Sequence, residues 1–227
     1  MLVRNWMTPR VITIDVDDPM VLATQKLKEH NIRKLPVTRK DKLVGIVTDR
    51  DLKRASASDA STLEVHELFY LLSKIKVKDI MTKDPITVPF DYTIEETAQV
   101  LLENRISGVP VVDHEGKITG IITEADLFRA LMSLTGLVKR GVQYAFQLED
   151  RPGSIKDITD VMRKYGGRLA SILTSYDGAP EGYRKVYIRI YGIDRHELGR
   201  LSQELKETTT LLYMVDHGEN KREVFLL

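Results

Sequence analysis

The sequence predicts a mixed α+β protein in which a small β-α-β-β-α unit occurs twice and a different α+β segment follows. Three observations support this prediction. The chain repeats itself within its first half, each copy alternates short apolar strands with amphipathic helices, and the pattern changes near Gly141. The 227 residues are enough for two or three small domains, each with its own core.

The repeat is visible in three stretches of each copy. They are VRNWMTPRVITIDVD at 3–17 with VKDIMTKDPITVPFD at 77–91, IRKLPV at 32–37 with ISGVPV at 106–111, and GIVTDRDL at 45–52 with GIITEADL at 120–127. One residue is inserted in the second copy between the last two stretches. Similarity of this extent within one chain indicates a duplication.

Each copy opens with a short β-branched strand, predicted at Val11–Ile14 and at Ile86–Val88. A helix follows in each copy. In the first copy Asp18 is the expected N-cap with Pro19 at the first helical position, and in the second copy Thr93 and Glu96 form a capping box. Two further strands and a second helix, opening at Thr48 or Thr123, complete each unit. The strands are predicted at Leu35–Thr38 and Leu43–Val47, and at Val109–Val112 and Ile118–Ile122.

Domain boundaries follow from the repeat and from the segment between the copies. Residues 56–62 are small and polar, as in a loop, and Glu64–Ile75 has apolar residues at helical spacing. We therefore expect repeat 1 at 1–56, a connecting loop and helix at 57–76, and repeat 2 at 77–134. One copy buries too little sheet surface to fold alone, so the two should pack together.

The third segment has the order β-α-β-β-α-β, which is a ferredoxin-like split unit at residues 141–218. Its elements are a strand over 142–148, a helix Ser154–Tyr165, strands Leu169–Tyr176 and Tyr183–Tyr191, a helix Arg195–Thr208 and a strand Leu211–Val215. We assign no element to the C-terminal tail, residues 219–227. This fold hosts many functions and does not identify one.

Composition excludes several classes of function. The 34 basic and 33 acidic residues leave a net charge of +1, which argues against nucleic-acid binding. The chain has no cysteine, and its five histidines lack metal-ligand spacing. No apolar stretch is long enough to span a membrane, and no signal core precedes the repeats, so we expect a cytoplasmic protein. No nucleotide-hydrolase, dinucleotide-binding or nucleophile-elbow motif occurs, so we expect no enzyme and no metal.

The repeated Gly-h-h-Thr-x-x-Asp motif, in which h is apolar, has two readings. Thr-x-x-Asp at a helix start is a capping box, with threonine as the cap and aspartate returning one turn later. The same geometry suits a nucleotide, because a helix N-terminus attracts phosphate and a carboxylate accepts hydrogen bonds from a ribose diol. Duplication of the whole unit favours the second reading.

The Met-Thr pairs, the h-Pro-Val strands and both Gly-h-h-Thr-x-x-Asp ends resemble a pair of CBS domains, a Bateman module, over residues 1 to about 132. Residues 148–155, LEDRPGSI, look like the first β-α turn of an ACT domain. The order CBS–CBS–ACT is similar to the acetoin-utilisation (AcuB-type) proteins over nearly the whole chain, which implies a role in acetoin or acetate metabolism.

The resemblance implies a non-catalytic regulatory module for energy sensing that binds AMP, ADP, ATP or S-adenosylmethionine between the repeats. The aspartate at one repeat's second helix would hold ribose, and the other repeat would contact adenine. One site would comprise Ile46, Thr48, Asp51, Thr82, Ile86, Ile106 and Ser107. The pseudo-symmetric site would comprise Ile121, Thr123, Asp126, Thr8, Ile12, Ile32 and Arg33.

The two copies differ where Arg33-Lys34 aligns with Ser107-Gly108. We expect the cationic pair to favour more highly charged ligands, and equal binding of adenosine and ATP would contradict this. The ACT resemblance implies an amino acid near Asp150, Gly153 and Ser154 and a homodimer. The alternative for this segment is dimerisation alone. For the whole chain the alternatives are a scaffold with vestigial nucleotide sites and an enzyme whose site the motifs do not reveal.

Overall fold

The computed structural model of the protein describes the backbone of residues 1–58 and 74–226 and the side chains of residues 1–55 and 74–226. The connecting helix predicted at Glu64–Ile75 lies outside the described residues except at its last two positions. The described helices are α1 (Met20–Glu29), α2 (Asp49–Ser58), α3 (Val77–Ile80), α4 (Ile94–Asn104), α5 (Glu124–Leu134), α6 (Ser154–Lys164) and α7 (Arg195–Thr208). The described strands are β1 (Ile14–Asp15), β2 (Lys34–Arg39), β3 (Lys42–Thr48), β4 (Thr82–Lys83), β5 (Val88–Pro89), β6 (Gly108–Val112), β7 (Ile118–Thr123), β8 (Val142–Glu149), β9 (Arg168–Ser175), β10 (Tyr183–Tyr191), β11 (Thr210–Asp216) and β12 (Lys221–Val224).

The chain forms two compact units, Met1–Phe128 and Arg129–Leu227. The first unit contains both repeats as far as the start of α5. Helix α5 begins in the first unit and ends in the second. The architecture is mixed α+β, as the sequence predicts.

The two sheets of the first unit are built in the same way. In the first, the order is β1-β2-β3-β4, with β1 parallel to β2 and the other neighbours antiparallel. In the second, β5 is parallel to β6 and β6 is antiparallel to β7. Each repeat thus has the same strand pairing, which is the structural counterpart of the duplicated sequence.

The segments Met7–Thr8 and Met81–Thr82, here called the Met-Thr segments, are exchanged between the repeats. Strand β4, which begins at Thr82 of repeat 2, pairs with β3 of repeat 1. In the same way Thr8 of repeat 1 forms an antiparallel bridge with Ile121 of repeat 2. Each sheet is therefore completed by the other repeat.

The glycine of each repeated motif makes room for an exchanged methionine. A Cβ atom at Gly45 would collide with Sδ of Met81, and a Cβ atom at Gly120 would collide with Sδ of Met7. A side chain at either glycine would force the methionine side chain to move, and at Gly45 it would also come within 3.0 Å of the carbonyl oxygen of Thr82. The motif glycine thus leaves room for the methionine of the other repeat.

Two details of the repeats differ from the prediction. The opening strands are only two residues long and lie later than predicted, at β1 and β5, because few of their backbone groups have a neighbouring strand to pair with. The expected N-cap role of Asp18 is wrong. Its Oδ2 atom accepts a hydrogen bond from the N–H of Asp15 at 3.0 Å, and helix α1 begins at Met20, whose N–H donates to the carbonyl of Ile75.

The second unit follows the predicted element order β-α-β-β-α-β from β8 to β11. Its sheet has the order β12-β11-β8-β10-β9, and all neighbouring strands are antiparallel. Strand β12 lies in the tail, where no element is predicted. Helices α6 and α7 supply side chains to a core that includes Tyr144, Phe146, Ile158, Met162, Ile188, Leu201 and Leu205.

Candidate functional site

A cavity of about 1020 Å³ in the first unit is lined by residues of both repeats. All of the residues predicted for the first nucleotide site contribute to its wall. They are Ile46, Thr48, Asp51, Thr82, Ile86, Ile106 and Ser107. The fold therefore brings together residues that are far apart in the sequence and that the CBS resemblance implies for one site.

The N-terminus of helix α2 forms one wall of this cavity. Oδ2 of Asp51 accepts hydrogen bonds from the backbone N–H of Thr48 at 3.0 Å and from its hydroxyl at 2.7 Å. The N–H of Asp51 donates to the Thr48 hydroxyl at 3.3 Å. The capping box is thus formed, and the hydroxyl proton of Thr48 is already used. The Thr48 hydroxyl could donate a hydrogen bond to a phosphate only if its hydrogen bond to Asp51 were broken.

Asp51 keeps one oxygen outside the cap. Its Oδ1 atom accepts a hydrogen bond from Nη2 of Arg54 at 3.1 Å, and Arg54 is largely exposed. The side chain of Asp51 is 13% exposed. An exposed ion pair of this kind contributes little and exchanges readily, so Oδ1 can accept hydrogen bonds from a ligand hydroxyl.

Strands and loops contribute apolar side chains to the lining of the cavity. Ile46 on β3 lies opposite Thr82 on β4, which is a pairing across the two repeats. Ile86 is 41% exposed although it is a large hydrophobic residue, and Ile106 is half-buried beside it in the cavity lining. Exposed apolar side chains in a concave site favour a flat, apolar ligand group such as a purine.

Lys34 and Ser107 join the repeats at the edge of the cavity. Nζ of Lys34 donates a hydrogen bond to Oγ of Ser107 at 2.6 Å. Burial lowers the pKa of Lys34, while Glu124 acts in the opposite direction. The aligned pairs Arg33-Lys34 and Ser107-Gly108 therefore meet each other at this cavity.

The residues predicted for the pseudo-symmetric site are placed as follows. Thr8 and Ile121 exchange backbone hydrogen bonds of 2.9 and 3.0 Å, and Thr123 donates from both its N–H and its hydroxyl to Oδ2 of Asp126 at 2.7 Å. The carboxylate of Asp126 is more deeply buried than that of Asp51, since the residue is 3% exposed.

Other residues of that predicted site lie elsewhere in the first unit. Ile32 and Arg33 line a pocket of about 530 Å³ beside α1 and α2, and Arg33 also lines the larger cavity. Ile12 packs against the core of the first repeat. Ile121, Thr123 and Thr8 are thus brought together by β7 and the exchanged segment. Ile32 lines a pocket formed by repeat 1, and Arg33 lines both that pocket and the large cavity between the repeats.

The predicted ligand residues of the second unit, Asp150, Gly153 and Ser154, belong to a polar network around Arg184. Nη1 of Arg184 lies 3.3 Å from Oδ1 of Asp150, and its Nη2 donates to Oγ of Ser154 at 3.1 Å. Tyr176 donates its hydroxyl proton to Oδ2 of Asp150 at 3.1 Å. Gly153, at φ +89°, precedes α6 as its N-cap. These contacts already occupy the polar atoms of the β8–α6 turn.

Sequence reasoning missed several residues of the cavity and of this network. Asp49, Arg50 and Glu124 occupy the x positions of the Thr-x-x-Asp motifs, where the motif specifies no residue type, so nothing singled them out as cavity residues. Arg184 had no signal of its own, because a charged residue on a predicted strand is ordinary at a solvated face. The remaining additional lining residues are Lys53, Asp84, Pro85, Arg105 and Val109, besides Lys34 and Gly108, which the comparison of the two copies had singled out.

The described residues contain no group of three or more histidine, aspartate or glutamate side chains placed to hold a metal ion. In the same part of the chain, none of the helices combines the length and the hydropathy that crossing a bilayer requires.

Comparison with known proteins identifies the repeats. Residues 3–58 and 77–133 match the CBS domain profile. A CBS domain-containing protein of Dictyostelium discoideum is 31% identical over 134 residues, which are 59% of this chain and 92% of that protein. The chain belongs to the CBS-domain family. Its first unit is therefore a CBS pair, a module of regulatory proteins.

Two further matches involve the CBS pair. The inosine-5'-monophosphate dehydrogenase of Thermoplasma acidophilum is 36% identical over 117 residues, which are 52% of this chain but 21% of that enzyme. The CBS pair of protein MJ0100, crystallised with 5'-methylthioadenosine and S-adenosyl-L-methionine, is 31% identical with a TM-score of 0.50. That match covers 58% of this chain and 95% of the other.

Proposed function

We propose that this protein is a non-catalytic regulator whose CBS pair binds an adenosyl ligand in the large cavity. The observation that carries the proposal is that every residue predicted for the first site lines one cavity of about 1020 Å³. The related CBS pair of MJ0100 was crystallised with two adenosyl compounds, which supports the ligand class.

The chemistry of the cavity walls suits each part of such a ligand. Oδ1 of Asp51 accepts hydrogen bonds from the ribose hydroxyls. The exposed side chain of Ile86, with Ile46 and Ile106, covers the faces of the adenine ring. The backbone N–H groups at the start of α2 favour an anionic group at the 5' position, because the helix dipole is positive there.

The second, pseudo-symmetric site is proposed at Thr8, Ile12, Ile32, Arg33, Ile121, Thr123 and Asp126. The duplicated hydrogen bonds of Thr123 and Asp126 support it, since they repeat those of Thr48 and Asp51. The deeper burial of Asp126 predicts weaker binding there, because a ligand must displace more packed structure to reach its carboxylate.

The second unit is proposed to be an ACT-like domain that receives the signal and mediates homodimerisation. Its element order and the turn containing Asp150, Gly153 and Ser154 support this proposal. An amino acid at that turn would have to exchange contacts with Arg184. Helix α5 is the proposed route of the signal, because it starts at Glu124, beside Thr123, and ends in the second unit.

Ligand-dependent thermal unfolding tests the adenosyl proposal. The panel is adenosine, 5'-methylthioadenosine, S-adenosylmethionine, AMP, ADP and ATP, and the variants are Asp51→Asn, Asp126→Asn and the exposed control Asp91→Asn. A ligand at about one hundred times its dissociation constant adds about 2.7 kcal/mol to stability. At about 2–4 °C per kcal/mol, the midpoint rises by several degrees.

We expect Asp51→Asn to reduce the ligand-induced rise most, Asp126→Asn to reduce it less, and Asp91→Asn to leave it unchanged. If no adenosyl compound raises the midpoint of the wild type, Thr-x-x-Asp acts only as a helix cap. The protein would then be a scaffold with vestigial nucleotide sites.

A further inference from the structure

We propose that the large cavity selects a nucleoside di- or triphosphate, whereas the pseudo-symmetric site has no comparable place for a polyphosphate chain. This inference rests on the proposed function, since it assumes that an adenosyl ligand binds in the cavity. It specifies how many phosphate groups the ligand carries, and it states that the two sites differ in this preference.

The first argument is the number of basic side chains without an acidic partner. Five basic residues line the cavity, namely Arg33, Lys34, Arg50, Lys53 and Arg105. Within residues 1–58 and 74–226, only Lys53 of these five forms an ion pair, at 3.7 Å from Asp49. Four cations therefore face one cavity with no carboxylate within ion-pair distance, an arrangement that suits a ligand with several negative charges.

The acidic residues of the lining do not cancel this excess. Asp49 is paired with Lys53, and both oxygens of Asp51 already accept hydrogen bonds, from Thr48 and Arg54. Asp84 and Glu124 remain, and they are exposed like Arg33, Arg50 and Arg105, so solvent screens charges of both signs. The unpaired cations thus outnumber the unpaired carboxylates in the lining.

The second argument comes from the duplication itself. The residues aligned with the five basic residues of the cavity are all uncharged, namely Ser107, Gly108, Ala125, Phe128 and Asn31. The acidic residue that would hold ribose is present in both copies, as Asp51 and Asp126. The carboxylate proposed to bind ribose is therefore present in both copies, whereas the five basic residues are not. By the same alignment the pseudo-symmetric site would have three basic residues, Arg10, Arg33 and Lys34, and the last two also line the large cavity.

The position of Gly108 explains part of this asymmetry. A Cβ atom there would lie 2.8 Å from the carbonyl oxygen of Ile122 and 2.9 Å from Cγ2 of Thr123. A side chain at 108 requires the β6–β7 pair to shift, so a lysine equivalent to Lys34 has no space in repeat 2. The difference between the sites is thus built into the packing of the strands.

Lys34 is the residue best placed to detect the polyphosphate. The residue is half-buried, joins the repeats through Ser107, and forms no ion pair in the described part of the chain, although Glu124 attracts its charge from a greater distance. A phosphate oxygen would supply the missing negative charge. The cavity volume is at the upper end of the roughly 300–1,000 Å³ typical of small-molecule sites, so it has room for more than a nucleoside.

Isothermal titration calorimetry with adenosine, AMP, ADP and ATP, at low and at high ionic strength, tests the inference. The variants are Lys34→Gln and Arg50→Ala, and Lys117→Ala, an exposed residue before β7, is the control with the same loss of charge. We expect affinity to rise along the series and to fall with salt for ATP. Each cavity variant should weaken ATP by about tenfold and leave adenosine nearly unchanged, because one charge-assisted contact is lost.

Three results would overturn the inference. Equal affinity for adenosine and ATP, with binding still sensitive to Asp51→Asn, would leave the proposed function standing and remove the polyphosphate. Equal weakening of adenosine and ATP by both cavity variants would show a general role in packing; Arg50 is exposed, so its variant should fold normally. Failure of all four compounds to bind would overturn the proposed function as well.

Discussion

Arg189 donates a hydrogen bond from Nε to the carbonyl oxygen of Thr135 at 2.7 Å, and Thr135 is the residue that follows helix α5. Ser171 donates its hydroxyl proton to the same oxygen at 2.9 Å. Arg189 is 3% exposed, and its Nη2 donates to Gln143 at 3.0 Å. The end of α5 is therefore attached to two strands of the second unit.

This attachment allows a test of the proposed signal route along α5. In the double variant Arg189→Met with Ser171→Ala, the Thr135 carbonyl loses both donors, so the last turn of α5 should exchange its amide protons faster. Adenosyl ligand should then no longer change amide exchange in β9 and β10, although its affinity is retained. Hydrogen exchange with mass spectrometry measures both effects.

The single variants separate attachment from packing. Arg189→Met keeps much of the buried volume and should be tolerated better than Arg189→Ala, which also leaves a cavity. Arg200→Met, at an exposed position on α7, is the control. If ligand still protects β9 and β10 in the double variant, α5 does not carry the signal through Thr135.

The close packing of Met81 on Gly45 predicts that a substitution at Gly45 weakens the contact between the repeats. Gly45→Ala should destabilise the first unit by about 1–3 kcal/mol, because its Cβ overlaps Sδ of Met81. Adding Met81→Ala should recover part of the loss, since the overlapping atom is removed. Urea unfolding measures the three free energies.

A second glycine provides the control for that experiment. Gly199 lies in helix α7, and a Cβ atom there meets nothing within 4 Å. Gly199→Ala should raise stability by about 0.5–1 kcal/mol through helix propensity. A Gly45→Ala variant as stable as the wild type would show that the Met-Thr segment moves without cost.

His217 predicts acid sensitivity of the second unit. Burial lowers its pKa below the ordinary 6.5, and Arg189 and Arg222 act in the same direction. The unfolded chain therefore binds a proton at a pH where the folded chain does not, so stability falls as pH drops through about 6.5. His217→Gln should flatten this part of the pH profile of unfolding.

The exposed His196 is the control, and His196→Gln should leave the profile unchanged. A second acid-sensitive group lies next to His217. Burial opposes ionisation of Asp216, but its hydrogen bonds from Arg195, Gly218 and Glu219 lower its pKa overall, below 3.8. Its contribution is lost only in stronger acid, so the two effects separate along the pH axis.

The hydroxyl groups of Tyr144 and Ser202 form a hydrogen bond of 2.9 Å inside the second unit. Burial raises the pKa of Tyr144 to about 12, although the bond to Ser202 acts in the opposite direction. Ser202→Ala leaves a buried hydroxyl unpaired and should cost about 1–3 kcal/mol. Tyr144→Phe together with Ser202→Ala should cost less than Ser202→Ala alone, which chemical denaturation will show.

The sequence was most informative where local signals were duplicated. The capping boxes at Thr48 and Thr123 are formed as predicted, because each depends on residues three positions apart and not on distant packing. The second helix of each repeat and the two strands that precede it follow from the same local pattern. The duplicated motif itself points only to Thr48 and Asp51 and to Thr123 and Asp126, and the other residues of the first site came from the resemblance to CBS pairs.

Features that depend on distant partners could not be predicted. Strand β12 has the polar sequence Lys-Arg-Glu-Val and exists because the edge of β11 is free to pair with it. The exchange of the Met-Thr segments left no periodic signal, since each consists of only a few residues. The network around Arg184 likewise joins a strand, a turn and a helix that are separate in sequence.

The exchange of the Met-Thr segments has a consequence for how such a chain can arise and fold. A single copy folded by itself would leave the edge of β3 open, with unpaired backbone groups available to another molecule. Two identical copies could cover both edges by exchanging their Met-Thr segments, as in a domain-swapped dimer. The duplicated chain holds both partners of that swap on one polypeptide, so closing the edges needs no second molecule. Folding of the first half must then wait for Met81 and Thr82 to be synthesised.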